Sequence, residues 1–423
     1  MSKLKVFSMF DGVGGFIIGL NNADSSYYST LYSNQFEPSR KSQDAFEVGC
    51  YRFPNMEHIG IDVAKISDEK FREMKSKGVN MIVGGFPCQD YSVAHTGAKG
   101  ITGKKGVLFW QIIRATENIK PKYLILENVD RLLKSPTNQR GRDFAIMLRS
   151  FADLGYSLEW RVINAAEYGE AQRRRRVFFF VYRNDTGWGL HVNNELTNDK
   201  AYSDYIFKNG LFAQQFPVKQ NAFKGRLAKE DLDDDIVKVS DHFTGKVYNT
   251  GIMHNGHYYT VDTVPMGNET VKTLGDIIQN ENDIPEEFYL KDTDPKLEKF
   301  KYLRGPKKIK RKSKDGHEYV YAEGGMSPYD RLDLPSRTML TSEGTTNRST
   351  HLLKINGRYR LLTPIEAERL QDFPDNWTKY KLTKDGEVKE VSTRMRMFFM
   401  GNALVTGIVT RIGKQLEFFD KKY

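Results

Sequence analysis

The chain has 423 residues, of which 39% are hydrophobic and 12% aromatic, enough apolar material for two domains or for one large domain with an insertion. Its formal net charge of +10 favours a polyanionic partner, and its two cysteines exclude a disulfide framework and a cysteine-based metal site. No run approaches the roughly 20 apolar residues that span a bilayer, and Met1–Phe10 lacks the pattern of a secretory signal, so we expect a cytoplasmic protein.

The first half of the chain alternates between short apolar runs and helical periodicity. Lys5–Phe10, Asn80–Gly84 and Tyr123–Leu126 are apolar runs, typical of strands that are buried on both faces of a parallel sheet. Leu108–Ile119 and Asp143–Leu154 carry apolar residues at helical spacing. The pattern predicts an α/β fold, with a doubly wound, mostly parallel sheet of Rossmann type covered by helices.

The second half of the chain has a different character. Asn184–Gly325 is polar and charged without a sustained period, and within it Lys299–Lys314 holds nine basic residues and no acid. A solvated loop is the more common explanation of an isolated basic run. Helical spacing returns at Pro364–Leu370 and in the closing segment Gly401–Gln415. The predicted division is a first domain formed by 1–183 and 326–423, with a smaller, irregular second domain at 184–325.

A glycine-rich loop follows the first predicted strand, at Phe10-Asp11-Gly12-Val13-Gly14-Gly15-Phe16. Glycines at this point let the backbone approach a ligand closely. A dinucleotide fingerprint would have a third glycine where Ile17 stands. The loop therefore suits a nucleotide-like cofactor without pyrophosphate, and a purely structural turn explains it equally well.

Polar residues also follow the next two strands, where open α/β sheets keep their sites. Cys88 stands in Gly-Phe-Pro-Cys-Gln, before a polar, glycine-rich stretch at 90–106 that resembles a lid. Glu127 would face the same crevice, and poor solvation there would raise its pKa and suit it to act as an acid. Taken singly, a buried structural cysteine and a surface or helix-capping glutamate explain these positions as well.

Four consecutive arginines precede the predicted strand Val177–Tyr182. Because side chains alternate between the two sides of a strand, Arg174 and Arg176 are expected to share one face. Taken alone, the run is explained by a surface cluster.

Together these segments resemble the DNA cytosine carbon-5 methyltransferases, which include enzymes of bacterial and phage restriction–modification systems. Phe-x-Gly-x-Gly-Gly, Pro-Cys-Gln, Glu-Asn-Val, Gln-Arg-Arg-Arg-Arg and the closing Gly401-Asn402-Ala403 occur in the family's order and approximate spacing. Pro335-Ser336-Arg337-Thr338 and the segment from Leu362 to Pro374 are similar to its late segments. Five or more such segments in register make a chance match implausible.

The resemblance implies methylation of cytosine carbon 5, with S-adenosylmethionine as cofactor, within a specific double-stranded DNA sequence. Cys88 would attack carbon 6 of the base, because carbon 5 is a poor nucleophile until a thiolate has added at carbon 6. Glu127 would bind the exocyclic amine and protonate ring nitrogen 3. Arg176 would contact the ring oxygen, supported by Arg174. Loss of the carbon-5 proton and expulsion of Cys88 would complete the cycle.

The cofactor residues implied by the resemblance include one departure from the family. The second strand ends in Ser33-Asn34-Gln35-Phe36-Glu37, where the family usually has a glutamate for the ribose. Gln35 aligns with that position, and Glu37 would replace it if the turn is longer; both alternatives stay open. The predicted cofactor residues are Phe10, Gly12, Val13, Gly14, Gly15, Gln35, Phe36, Asp62, Val63, Phe86, Asn402 and Ala403.

The resemblance also implies the partner. Because carbon 6 is inaccessible inside a duplex, the target nucleotide must rotate out of the stack, and the 90–106 loop would close over it. The 184–325 stretch would be the target recognition domain, and in this context the basic run is interpreted as a phosphate contact with strong salt dependence. We expect a monomer without metal or membrane attachment. It would protect host or phage DNA from restriction, and a cognate endonuclease would act on the same sequence without stable association.

Three alternatives stay open at this stage. An RNA-modifying relative would act on transfer RNA, although such enzymes typically have a shorter segment before the late motifs. A silent DNA-binding regulator would keep the fold without its catalytic residues, all of which are intact here. A nicotinamide-dependent Rossmann enzyme is disfavoured by Ile17 and by the Cys88 loop.

Overall fold

The computed structural model describes residues 3–86, 108–223, 225–313 and 315–423. Its strands are β1 (Leu4–Met9), β2 (Tyr28–Asn34), β3 (Glu57–Ile59), β4 (Met81–Gly85), β5 (Tyr123–Val129), β6 (Tyr156–Asn164), β7 (Arg175–Arg183), β8 (Val218–Gln220), β9 (Leu227–Asp231), β10 (Thr250–His254), β11 (His257–Val261), β12 (Thr263–Pro265), β13 (Tyr289–Leu290), β14 (Lys307–Lys312), β15 (Glu318–Glu323), β16 (Leu353–Ile355), β17 (Arg358–Arg360), β18 (Tyr380–Leu382) and β19 (Val388–Glu390).

The α-helices of the same residues flank these strands. They are α1 (Gly15–Asp24), α2 (Asp44–Arg52), α3 (Asp68–Ser76), α4 (Leu108–Ile119), α5 (Arg142–Asp153), α6 (Gly187–Glu195), α7 (Asp199–Asp204), α8 (Leu211–Gln215), α9 (Ile236–His242), α10 (Pro295–Arg304), α11 (Pro364–Leu370), α12 (Thr393–Asn402) and α13 (Thr406–Lys422). In these ranges no helix combines the length and the apolar character needed to cross a bilayer.

One large sheet forms the centre of the described part, in the order β3-β2-β1-β4-β5-β7-β6-β10-β11-β9. The strands from β3 to β5 run parallel, and β7 is antiparallel to both β5 and β6. The chain reverses its direction of winding between β1 and β4, as a doubly wound sheet does. The predicted α/β fold class is confirmed.

Each central strand supplies side chains to apolar layers on both faces of the sheet. In β5, Leu124 and Leu126 belong to one buried cluster, whereas Tyr123 and Ile125 belong to the other. This division follows from the two-residue period of a strand. Because burial of each large apolar side chain contributes roughly 1.5–3 kcal/mol, the two layers hold the strand ends at the site in a rigid arrangement.

The predicted helices are largely present, with one exception at the end of the chain. Leu108–Ile119 forms α4 and Pro364–Leu370 forms α11, as predicted. The predicted helix Gly401–Gln415 is wrong at its start, because α12 ends at Asn402 and α13 begins only at Thr406. Other segments take up the backbone groups around the break: Arg174 binds the Gly401 carbonyl at 3.1 Å, and the Thr406 amide donates to the Gln371 carbonyl at 3.0 Å.

Close packing of α13 against α1 brings the two ends of the described chain together. A side-chain carbon at Gly19 would lie 2.5 Å from Val409 Cβ, and one at Gly413 would lie 2.8 Å from Ala23 Cβ. Only glycine permits so close an approach at both positions. The loop before α1 therefore lies beside the segment between α12 and α13.

Residues 184–325 contain more regular structure than their sequence indicates. Strands β9, β10 and β11 extend the central sheet beyond β6, and α6, α7 and α8 lie between β7 and these strands in the chain. Outside the sheet, β14 and β15 form a two-stranded antiparallel ribbon. The domain boundaries 1–183, 184–325 and 326–423 stay predictions.

Candidate active site

A cavity of about 490 Å³ opens where the parallel strands of the sheet end. Loops after β1, β2 and β4, the end of β5, the start of β7 and the break between α12 and α13 contribute to its wall. The predicted site residues on this wall are Phe10, Gly12, Val13, Gly15, Gln35, Phe36, Phe86, Glu127, Arg174, Arg176, Asn402 and Ala403.

The other predicted residues lie elsewhere or outside the described part. Gly14 has a φ of 92° at the start of α1, and a side-chain carbon there would meet the Phe53 ring at 2.6 Å. Asp62 accepts a hydrogen bond from the Ala64 amide at 3.0 Å, capping a short turn, and the adjacent Val63 is buried. Gly14, Asp62 and Val63 are not among the residues that line the cavity. Cys88 and the predicted lid at 90–106 lie outside the described residues.

The glycine-rich loop presents open backbone to the cavity. Gly12 has a φ of 58°, and no atom of the described residues lies within 4 Å of the position that a side-chain carbon would take. The Gly12 amide donates to Gln35 Oε1 at 2.8 Å, and the Val13 carbonyl accepts from Trp377 Nε1 at 2.7 Å. Gln35 and Trp377 thus fix the loop by hydrogen bonds, and its backbone at Gly12 is open toward the cavity. This arrangement suits a nucleoside-like ligand that packs against the backbone.

Two side chains after β2, Gln35 and Glu37, are the candidates for the contact to the cofactor ribose. Gln35 uses its carbonyl oxygen for the Gly12 amide, so its amide nitrogen is the group left for a ligand. Glu37 also lines the cavity and pairs with Arg40 Nε at 3.0 Å. Burial raises the pKa of Glu37, and Arg40 opposes part of this shift. Both residues line the cavity, so the question stays open between them.

Glu127 and Arg176 form an ion pair at the far side of the cavity. Arg176 Nε lies 2.9 Å from Glu127 Oε1, and the carboxyl-bearing side chain is 13% exposed. Burial raises the pKa of Glu127, and the two nearby arginines, Arg176 and Arg174, offset part of this shift. Gly85 on the neighbouring strand leaves room for the carboxylate, since a side-chain carbon there would lie 2.9 Å from Glu127 Oε2. The site therefore holds a carboxyl group that keeps its proton to higher pH than a solvated glutamate does.

Arg174 is a buried cation that two distant segments hold in place. It is 3% exposed and donates to the carbonyls of Met339 and Gly401, each at 3.1 Å. Burial lowers its pKa to about 9, and the neighbouring Arg176 contributes to the shift. Arg175 points the other way and pairs with Asp130 at 2.9 Å. Arg174 and Arg176 thus share the cavity side, in line with the alternation expected from the sequence.

The Pro335–Thr338 segment supports this arrangement from outside the cavity. The Ser336 amide donates to the Ala171 carbonyl at 2.7 Å, and the Arg173 amide donates to the Ser336 carbonyl at 2.8 Å. The Ser336 hydroxyl also lies 2.8 Å from His351 Nε2, and both residues are buried. The segment therefore fixes the backbone from which Arg174 projects.

Asn128 and Asp11 are two of the cavity residues that were not among the predicted ones. Asn128 is buried and donates from Nδ2 to the Phe86 carbonyl at 2.8 Å, which joins the ends of β5 and β4. Asp11 lies inside the glycine loop and also lines the cavity. An acid among glycines was the sequence signal for Asp11, whereas the role of Asn128 depends on a contact 42 residues away.

Comparison with known proteins agrees with this geometry. The family model of C-5 cytosine-specific DNA methylases matches residues 4–417. The chain is 53% identical over 422 residues to the type II methyltransferase M.Sau3AI of Staphylococcus aureus, covering 99% of this chain and 97% of that protein. It is 30% identical over 257 residues to the orphan methyltransferase M.Rho11sI of Bacillus phage rho11s, covering 58% and 48% of the two chains.

Solved structures show the same fold at low sequence identity. The Dnmt2 methyltransferase of S. pombe aligns with a TM-score of 0.58 at 14% identity, covering 98% of this chain and 99% of that one. The DNMT2 of Spodoptera frugiperda aligns with a TM-score of 0.57 at 12% identity and the same coverage. With the family model matched over nearly the whole length, the chain belongs to the C-5 cytosine-specific DNA methylases and is a DNA cytosine-5-methyltransferase.

Proposed function

We propose that this enzyme uses S-adenosylmethionine to methylate a cytosine that has rotated out of a specific double-stranded DNA sequence, through a covalent bond to Cys88. One observation carries the proposal: a single cavity joins an open glycine loop to the Glu127–Arg176 pair. A cofactor and a base can therefore meet in one enclosure. Its volume of about 490 Å³ lies in the range of small-molecule sites.

The reaction requires a nucleophile on one side of the base and an acid on the other. The Cys88 sulfur adds to carbon 6; the carbon 5–carbon 6 π pair shifts to the carbon 4–carbon 5 bond, and the carbon 4–nitrogen 3 π pair moves to nitrogen 3. Glu127 donates a proton to nitrogen 3, which its raised pKa favours. When bound, S-adenosylmethionine would supply the methyl group to carbon 5, with its sulfur–methyl bond broken and S-adenosylhomocysteine as the leaving group. Loss of the carbon-5 proton to water then restores the carbon 5–carbon 6 double bond and breaks the sulfur–carbon bond, and Glu127 recovers its proton from nitrogen 3.

The residues toward the cofactor fit an adenosine group. The open space at Gly12 accommodates a ligand against the backbone, and Phe10 and Phe36 offer aromatic rings on the same wall. Gln35 or Glu37 would bind the ribose hydroxyls. Asn402 and Ala403 complete the enclosure from the C-terminal part of the chain.

The arginines would hold the base. Arg176 stays partly accessible, with 19% of its side chain exposed, so it can donate to the ring oxygen of cytosine while it pairs with Glu127. Arg174 is held by backbone carbonyls and would keep Arg176 and Glu127 in place through its charge. Because a paired base cannot enter such a cavity, the target must leave the duplex stack.

The ribbon of β14 and β15 is the proposed phosphate contact within the recognition region at 184–325. Its outer face carries the exposed Lys308, Lys310 and Lys312, and no ion pair joins them to a carboxylate in the part of the chain that the structure describes. These lysines stand about 7 Å apart, because a strand rises about 3.4 Å per residue. A two-stranded ribbon also has the size that a major groove admits.

The inner face of the ribbon has its charges occupied. Lys307 Nζ lies 3.2 Å from a Glu323 carboxylate oxygen, and the Arg311 guanidinium lies 4.1 Å from the centre of the Tyr321 ring. The difference between the two faces favours the outer one as the DNA-contacting side. At the base of the ribbon, the buried Arg304 binds Asp330 at 2.7 Å.

Transfer of a labelled methyl group tests the proposal. The full chain is incubated with S-adenosylmethionine labelled in its methyl group and with either genomic DNA or transfer RNA. We expect label in DNA at carbon 5 of cytosine, and label found only in RNA would contradict the proposal. DNA that contains 5-fluorocytosine should give a covalent adduct at Cys88, because no proton can leave carbon 5. Sequencing methylated DNA after expression in a methylation-free host identifies the target sequence.

A further inference from the structure

Asp11 is a buried acid on the cavity wall, and only one of its two carboxylate oxygens accepts a hydrogen bond from the described residues. The residue is only 8% exposed, and the Ser8 hydroxyl donates to Asp11 Oδ1 at 2.6 Å. Among the described residues no group donates to Asp11 Oδ2 and no cation pairs with the carboxylate. Ionisation of this carboxyl is therefore unfavourable, because burial removes it from water and no cation of the described residues pairs with it.

Among the residues that the structure describes, no charged group of the surrounding elements compensates Asp11. Its amide donates to the Asn34 carbonyl at 2.9 Å, which fixes its backbone to the end of β2. Burial raises the pKa of Asp11 to about 7, and only the Ser8 hydroxyl opposes this shift. The charged side chains on the same wall are Glu37, Glu127, Arg174 and Arg176, and among the described residues neither arginine forms an ion pair with Asp11.

A ligand that carries N–H groups and a positive charge would complete this site. Such a group can donate to the free Oδ2 atom and stabilise the ionised carboxylate at the same time. A sulfonium supplies charge but no donor, whereas an ammonium supplies both. Asp11 is therefore matched to an ammonium group.

We infer that Asp11 binds the α-ammonium group of S-adenosylmethionine as a carboxylate, so that cofactor binding expels one proton from the protein. The inference rests on the proposed function for the identity of the cofactor. It assigns to one residue of the glycine loop both contact with the amino-acid part of the cofactor and a pH-dependent affinity. Glycine loops that lack an acid at this position would not have this linkage.

The inference predicts how the cofactor affinity changes with pH. If the free carboxyl titrates near pH 7, the Kd should be about 20-fold weaker at pH 5.5 than at pH 7.5. The titration stays at or below pH 7.5, because α-amino groups lose their proton at about 7.7–8.0. Asp11→Asn should bind with an affinity that is nearly independent of pH over this range.

Isothermal titration calorimetry of the full chain measures the proton directly. At pH 6, in buffers of different ionisation enthalpy, wild type should release about one proton per cofactor bound, and Asp11→Asn should release none. Glu127→Gln serves as the matched control and should still release the proton. Ser8→Ala keeps the acid but removes its hydrogen bond, so the midpoint of the linkage should move to higher pH.

Ligand analogues identify the group that Asp11 binds. S-adenosylhomocysteine keeps the ammonium without the sulfonium charge and should release the same proton, whereas 5′-methylthioadenosine lacks the amino-acid part and should release none. Equal release in Asp11→Asn, or release with S-adenosylmethionine but not with S-adenosylhomocysteine, would overturn the inference. An absence of S-adenosylmethionine binding at every pH would instead overturn the proposed function.

Discussion

Arg176 and Glu127 meet diagonally across the antiparallel pair of β5 and β7. Arg176 is opposite Val129 in the strand register, so its guanidinium leans back over two residues to reach the Glu127 carboxylate at 2.9 Å. Residues in this relation lie on the same face of the sheet. The acid and the cation of the site are therefore placed by the register of the strands.

Removal of this arginine should change both the rate and its pH dependence. Arg176→Ala should lower kcat by roughly 10²–10³, since it removes one charged donor to the base. The pKa of Glu127 should rise further, because Arg176 is the largest influence that lowers it. The alkaline limb of the pH–rate profile should then move to higher pH. The adjacent Arg175→Ala, which faces Asp130, is the control, and an equal loss in both variants would refute the assignment.

Replacement of the sulfur nucleophile should separate binding from chemistry. Cys88→Ser should abolish turnover, because a hydroxyl is a far weaker nucleophile than a thiolate at neutral pH. Specific DNA binding in a gel-shift assay should be largely retained. If binding and turnover were lost together, Cys88 would have a structural role instead.

Arg174 should make a measurable contribution to stability as well as to the site. Arg174→Lys cannot donate to the carbonyls of both Met339 and Gly401 in the same geometry. We expect the free energy of unfolding to fall by about 2–4 kcal/mol, because the substitution leaves a buried cation with poor hydrogen bonding. Urea unfolding measures the loss, and Lys75→Ala at an exposed site of α3 should change it by less than about 0.5 kcal/mol.

The two faces of the β14–β15 ribbon provide a matched pair of variants. Val320 is 58% exposed on the outer face, and Tyr319 is 44% exposed on the inner face of the same strand. Val320→Glu should weaken DNA binding and reduce the slope of log Kd against log salt by about 1, since it neutralises the phosphate contact of Lys310 opposite it. Tyr319→Glu adds the same charge and should have a smaller effect. Equal slopes for wild type and Val320→Glu would contradict the proposed contact.

Glu170, whose carboxylate packs against Gly407 at the start of α13, should make stability depend on pH. Burial raises the pKa of Glu170 to about 7, and the neighbouring Asp372 adds to the shift. Because the native carboxyl holds its proton more tightly than the unfolded one, stability is fully present below about pH 4.5 and is lost as pH rises through 7. Glu170→Gln should therefore stabilise the protein at pH 8, on the order of 2 kcal/mol, and much less at pH 5. Thermal unfolding at both pH values tests this.

Local patterns in the sequence predicted the centre of the fold. Strand β4 and the first four residues of β5 are continuously apolar because both faces are buried there, and α4 has the spacing of one buried face. The extension by β9 could not be predicted in this way. Its residues Leu227–Asp231 are mostly exposed and charged, and they form a strand only because β11 offers a free edge.

Contacts between distant residues limited the prediction of the site in the same way. Glu127 was predicted at the site from its strand end, and Arg174 and Arg176 were predicted to share one face, but the ion pair between Glu127 and Arg176 was not predicted. The carbonyls that hold Arg174 belong to residues 165 and 227 positions further along the chain, and no local pattern identifies them. Asp62 was predicted as a cofactor residue from its place in Gly60-Ile61-Asp62-Val63. In this structure its carboxylate caps the short turn that follows, by accepting from the Ala64 amide.

The packing of α1 on α13 has a consequence for synthesis of the enzyme. The glycine loop at Phe10–Phe16 is synthesised almost 400 residues before the helix that begins at Thr406. A nascent chain therefore exposes the Gly19 face of α1 until α13 has been synthesised and can pack against it. The cofactor cavity acquires Asn402 and Ala403 on its wall only at that late stage.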